Sequence, residues 1–234
     1  MTLKERARLV REQVEERKKS YPLEWLGRSL AYNPYAPRGL RSALVSEKSC
    51  KRIAKITCEE GFFAPLDLIN RAKSYECDGI NALLIAGDCA KSRGNLECLT
   101  QLRRYVPMPL LCGELIVDSY QIVEALVYGA DAIFLSAKLL GAKELKKLLE
   151  YALRMGLEGI VEISDKEDLT KAILVGAEIL AINHELERAQ ADRELSRALI
   201  PLIPQNKLII AQGGILPEHL EEFAGIGVDA VVLE

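Results

Sequence analysis

Aromatic residues are scarce in this chain of 234 residues, at 6% of the total, with Trp25 the lone tryptophan. A core built from such a sequence is aliphatic, and 49% hydrophobic residues supply ample material for one. There is no basic excess: 31 Lys and Arg against 34 Asp and Glu leave a net charge of −3 and a pI near 5.7, which excludes the electrostatic footprint of a nucleic-acid-binding protein. No apolar run approaches the roughly 18 residues that a membrane span requires. The start, Met1-Thr-Leu-Lys-Glu-Arg-Ala-Arg8, is charged and lacks the apolar stretch of a secretory signal. Cys50, Cys58, Cys77, Cys89, Cys98 and Cys112 contain no Cys-x-x-Cys pair, which argues against a zinc knuckle or disulfide framework and for reduced thiols in the cytoplasm. No Gly-x-Gly-x-x-Gly follows an apolar run, so a dinucleotide cradle is disfavoured and no cofactor is expected.

What the chain does have is alternation. Apolar runs at 52–57, 81–85, 109–111, 132–136, 159–163, 179–182, 207–211 and 229–233 are separated by segments of helical periodicity, among them 143–154, 166–174 and 218–224. Strands buried on both faces read as continuous apolar runs, and these do. Tyr128-Gly-Ala-Asp-Ala132, Val175-Gly-Ala-Glu178 and Ile226-Gly-Val-Asp-Ala230 repeat one turn phrase, in which glycine closes a helix before the next strand begins. Eight strands in strict alternation predict an α/β protein, a (β/α)8 barrel, over residues 49–234. Residues 1–48 hold no strand candidate. A helix over 3–19 presents Leu3, Ala7, Val10 and Val14 on one face, and Leu23, Trp25, Leu26 and Leu30 mark a short second helix, so this stretch reads as a helical extension bracing one end.

Particular phrases resemble the indole-3-glycerol phosphate synthase family of tryptophan biosynthesis. They are Tyr21-Pro-Leu-Glu-Trp-Leu26, Asp118-Ser-Tyr-Gln-Ile-Val-Glu-Ala125, Val161-Glu-Ile163, Ala181-Ile-Asn-His184 and Ile200-Pro-Leu-Ile-Pro204. The resemblance runs over nearly the whole chain and implies a TIM barrel, a carbon–carbon lyase, and a small phosphorylated molecule as ligand. It also leads one to expect a Gly-Ser turn and a closing helix after the eighth strand; the sequence ends at Glu234 without them, so the final helix is expected to be missing.

Barrel enzymes carry their reactive groups at the C-terminal ends of the strands. Carried over residue by residue, the resemblance retains Glu162, matching a glutamate that assists proton transfer, and Asn183, matching an asparagine that holds substrate. These two are the catalytic candidates. Elsewhere the family pattern is broken. Its third strand ends in Arg-Lys-Asp-Phe, with the lysine as general acid; here the same places read Cys112, Gly113, Glu114 and Leu115. In the first strand a glutamate has become Lys55 and an active-site lysine Thr57. The seventh-strand acid is the neutral Gln212, and on the sixth loop an arginine aligns with Glu185.

Protonating a carbonyl, closing a ring, expelling carbon dioxide and dehydrating needs a positioned acid and an opposed base, each typically worth roughly 10²–10⁴-fold. Gly113 and Gln212 supply neither, so the family activity is expected to be weak or lost, as in a pseudoenzyme or an engineered barrel. The alternative is a repurposed mouth that binds a small molecule or uses a carboxylate base such as Glu114, Glu162 or Glu234. Candidate ligand contacts are Lys55, Thr57, Gly113, Glu114, Gln212, Gly213, Gly214 and Glu234, with the Gly213-Gly214 backbone N–H groups suited to an anion. No metal site is expected: Glu59, Glu60, Asp88 and the other strand-end acids lack Asp-x-Asp spacing and read as solvated loop charge. Lys55 and Glu162 are expected to pair across the interior. Cys58 and Cys112 read as buried fillers and His184 as structural.

Overall fold

The computed structural model describes residues 1–32, 35–45, 50–58, 65–87, 94–184 and 193–233. Eight parallel strands close into a barrel in sequential order: β1 (Lys51–Cys58), β2 (Ala82–Gly87), β3 (Leu110–Cys112), β4 (Ala132–Ser136), β5 (Glu158–Ile163), β6 (Ile179–Asn183), β7 (Leu208–Gln212) and β8 (Ala230–Leu233). β8 returns to β1 with Lys51 opposite Ala230. The expected (β/α)8 barrel is present, and β4 coincides with the apolar run read from the sequence. At other strands the ladder departs by a residue or more. Asn183 and Gln212 lie opposite one another in the β6–β7 ladder, so polar residues that periodicity alone leaves outside the apolar runs are held as strand.

Before the barrel come α1 (Leu3–Ser20), α2 (Leu23–Ala31) and α3 (Leu40–Leu44). The barrel helices are α4 (Pro65–Cys77), α5 (Gly94–Arg103), α6 (Ser119–Val127), α7 (Ala142–Arg154), α8 (Lys166–Leu174), α9 (Arg193–Leu199) and α10 (Leu220–Gly225). The single helix expected over 218–224 divides into a 3-10 turn, Pro217–His219, and α10. The three repeated turn phrases behave alike. Gly129, Gly176 and Gly227 adopt φ of 97°, 80° and 94°, and the N–H after each reaches back to a helix carbonyl, as Ala130 does to Ala125 at 2.9 Å. Gly156, at φ 86°, makes a fourth instance that its different flanking residues conceal.

Strand alternation sorts the core into two layers. Ile53, Leu84, Phe134, Ile160, Ile210 and Val232 belong to the cluster inside the barrel, joined there by Leu40 and Leu44 of α3. The opposite strand faces pack under the helices. α3 therefore plugs the end of the barrel at which the strands begin. Gly39 gives this short helix no side-chain cap; instead the Glu158 carboxylate of β5 accepts the Arg41 backbone N–H at 2.8 Å. Burial pushes the Glu158 carboxyl up, against the backbone donors of Arg41 and Leu40.

The same end is tied by Asp131, which is fully buried. Its carboxylate accepts from Arg103 Nη1 at 2.6 and 2.7 Å, from the Arg38 backbone N–H at 2.6 Å and from the Leu110 N–H at 2.8 Å. Arg103 also donates to the Ala36 carbonyl, and Arg38 to the carbonyls of Met108 and Arg103. One carboxylate thus joins the segment before α3, the end of α5, and β3.

On the flank, α1 lies along α6. Ala7, Val10 and Val14 bury against Val117, Tyr120 and Val123. Lys18 pairs with Asp118 at 2.8 Å, and the Tyr120 hydroxyl donates to the Tyr21 carbonyl at 2.9 Å. No helix among the described residues is long and apolar enough to cross a membrane.

Candidate active site

Because Ile53, Leu84, Leu111, Phe134, Ile160, Ala181 and Ile210 face the interior, the two-residue period of a strand assigns the next positions toward the C-terminal ends to the same face. Those positions are Lys55 and Thr57 of β1, Gly113 just beyond β3, Ser136 of β4, Glu162 of β5, Asn183 of β6 and Gln212 of β7. Seven of the candidate or neighbouring residues thus ring one opening, although 157 positions separate the first from the last along the chain.

Glu162 is its centre. Its Oε1 accepts from the Asn183 amide at 3.2 Å and from the Gln212 amide at 2.5 Å, while Ser136 sits opposite it in the β4–β5 ladder. Two neutral amide donors thus converge on one carboxylate oxygen. Gln212, read as a lost acid, is therefore a partner of the retained one.

Ser136 is the residue that sequence reasoning missed. It is 3% exposed, and its hydroxyl has no hydrogen-bond partner among the described residues. Leaving such a group unsatisfied costs about 1–3 kcal/mol. The signal was available: Ser136 is the one polar residue in an apolar run, at its C-terminal end and on the inward period.

Gly113 offers no side chain and little room for one. Its N–H donates to the Ile85 carbonyl at 2.8 Å. A Cβ there would stand 2.9 Å from that carbonyl oxygen and 3.1 Å from both Ala86 Cα and Leu84 Cδ1. Contacts of this kind demand a backbone shift.

Glu114, a sequence candidate for the ligand site, is not gathered with the others. Its carboxylate lies 3.5 Å from Arg17 of α1 and accepts from the Gln121 amide, and Arg17 lies 3.1 Å from Glu124. Gln121 also accepts the Val117 N–H at 2.8 Å and donates to the Leu115 carbonyl. The Asp118-Ser-Tyr-Gln phrase is thus a capping box whose glutamine pins the loop after β3.

Gly213 and Gly214 take consecutive φ values of +100° and +63°, a left-handed backbone that favours glycine. Glu234 and the acids Glu59, Glu60, Asp88 and Glu185 lie outside the described residues. Among the described residues no group of three or more His, Cys, Asp or Glu is arranged to hold a metal ion. His184 is buried, shares a 3.2 Å hydrogen bond with Ser196 and meets Phe223 edge-on, so it braces α9 and α10. Burial pushes the Cys112 thiol up, which keeps it protonated.

The indole-3-glycerol phosphate synthase model matches residues 4–233. The chain belongs to the indole-3-glycerol phosphate synthase family. Among its relatives, a protein of that name from Campylobacter curvus (strain 525.92) is 46% identical over 243 residues, spanning 100% of this chain and 92% of the relative. Another from Sulfurimonas denitrificans is 43% identical over 242 residues with the same coverage. Among solved structures, the N-acetylmannosamine-6-phosphate 2-epimerase from Clostridium perfringens superposes with a TM-score of 0.66 at 13% identity, covering 86% of this chain and 91% of that one. That likeness concerns the barrel alone. Membership of the synthase family links the chain to tryptophan biosynthesis.

Proposed function

We propose that this member of the family takes a small phosphorylated molecule at the barrel mouth and performs the decarboxylating ring closure weakly or not at all. The observation that carries this reading is Gly113. The resemblance assigns the general acid of ring closure to this position, and neither a proton donor nor space for a Cβ is found there. Thr57 and Gln212 at two further positions of the family pattern point the same way. The test is steady-state turnover of carboxyphenylamino-deoxyribulose phosphate by the purified protein. Turnover should be undetectable or several orders of magnitude below that of a normal member, since acid and base contribute roughly 10²–10⁴-fold each. Formation of indole-3-glycerol phosphate at the rate of a normal member, as the names of the relatives would lead one to expect, would overturn the proposal.

The unpartnered Ser136 hydroxyl favours a second reading, in which the mouth is repurposed for a ligand that satisfies it, with Glu162 as acceptor or base. Under either reading Glu162 is taken to pair with Lys55, which occupies an interior position on β1. A double-mutant cycle of Glu162→Gln with Lys55→Met should then give a coupling of about 0.5–3 kcal/mol in chemical denaturation. Additive effects would mean that Glu162 is held by its amide donors and owes nothing to Lys55.

A further inference from the structure

We propose that Ser136 is a specificity-determining residue of the mouth, its hydroxyl taking a hydroxyl of the bound ligand, and that the ligand is accordingly a polyhydroxylated phosphate ester. This deepens, and rests on, the reading that a small phosphorylated molecule is held there. Ser136 closes β4, and the alternation that turns Phe134 into the barrel turns Ser136 inward as well. It is 3% exposed, and its hydroxyl has no hydrogen-bond partner among the described residues.

The neighbours explain why the protein itself leaves this group unmet. β3 and β5 flank β4. Gly113, the position following β3, has no side chain to offer the serine. On β5 the residue opposite is Glu162, whose Oε1 receives the amides of Asn183 and Gln212 from β6 and β7, on the side away from β4. Beyond β4, Lys138 pairs with Asp165 at 2.6 Å. The N–H groups of Leu139 and Leu140 donate to the Ser136 carbonyl at 3.3 and 3.0 Å, and not to its hydroxyl. A buried polar atom without a partner is destabilising, so removing the hydroxyl should not weaken the ligand-free protein. A serine hydroxyl both donates and accepts, and a ligand hydroxyl meets it in either sense. Its oxygen turns on a single bond, so contact demands a change of rotamer and no backbone movement. Thr57, Asn183 and Gln212 add neutral hydrogen-bonding groups around the same opening, a lining that suits a chain of hydroxyls better than an apolar ligand.

The experiment compares ribitol 5-phosphate with n-pentyl phosphate, which share the phosphate and the carbon chain and differ in the hydroxyls. Each is titrated into the wild type and Ser136→Ala, with dissociation constants taken from NMR shifts, and both proteins are melted without ligand. Ser136→Ala should bind ribitol 5-phosphate about three- to tenfold more weakly, the loss of one neutral hydrogen bond, with pentyl phosphate changed by less than about twofold. Its Tm should equal or exceed that of the wild type. An equal change for both probes, unchanged affinity for ribitol 5-phosphate, or a lower Tm would each overturn the assignment of Ser136. Binding of neither probe to the wild type would instead overturn the phosphorylated-ligand reading, and this assignment with it.

Discussion

Gly113→Lys should yield a less stable protein that still lacks measurable ring closure. Any side chain at this position begins with a Cβ 2.9 Å from the Ile85 carbonyl oxygen, and the 2.8 Å hydrogen bond from Gly113 N–H to that same oxygen fixes the spacing. The neighbours at fault include backbone atoms of β2, which cannot swing aside as a side-chain tip would. Overpacking of this kind costs about 1–3 kcal/mol, and Gly113→Ala, which carries the steric part without the charge, should lose a comparable amount. A thermal melt of both variants beside the wild type measures this. On the proposed reading the lysine itself would restore one acid, typically worth about 10²–10⁴-fold, to a mouth where the resemblance expects charged groups at the positions of Thr57 and Gln212. Turnover by Gly113→Lys approaching that of a normal family member would show that one missing acid is the whole defect.

Asp131→Ala should be the more damaging change to stability. Its carboxylate is the counter-charge of Arg103, which is 3% exposed, and it also satisfies the backbone N–H groups of Arg38 and Leu110. Removal leaves a buried guanidinium without its partner, an effect of about 3–5 kcal/mol, or a fall in Tm of roughly 10 °C for a domain of this size. The double variant Arg103→Met with Asp131→Leu should fall less than Asp131→Ala alone, because no charge remains buried. A change in Tm of less than about 2 °C in Asp131→Ala would mean that water takes over the role of the carboxylate.

Both predictions depend on contacts between residues far apart in the chain, and this marks the division between what the sequence determined and what the tertiary structure decided. The barrel was legible because it rests on local rules. Continuous aliphatic runs mark strands covered on both faces, the Gly-Ala turns end helices through a backbone conformation that glycine favours, and the two-residue period assigns Glu162 and Asn183 to one face of their strands. Gln212 was singled out in the sequence by the family resemblance, but its hydrogen bond to Glu162 was not legible there, since 50 positions separate the two. Asp131 read as a turn residue for the same reason: its partners at Arg38 and Arg103 lie 93 and 28 positions away. Glu114 read as a mouth residue because it lies just past a strand end, while its 3.5 Å contact with Arg17, from a helix that precedes the barrel, could not be read there. Periodicity says which face a residue occupies. It is closure of the barrel that brings residues on separate strands and helices within a few ångströms, and a hydrogen bond or an ion pair forms only over that range.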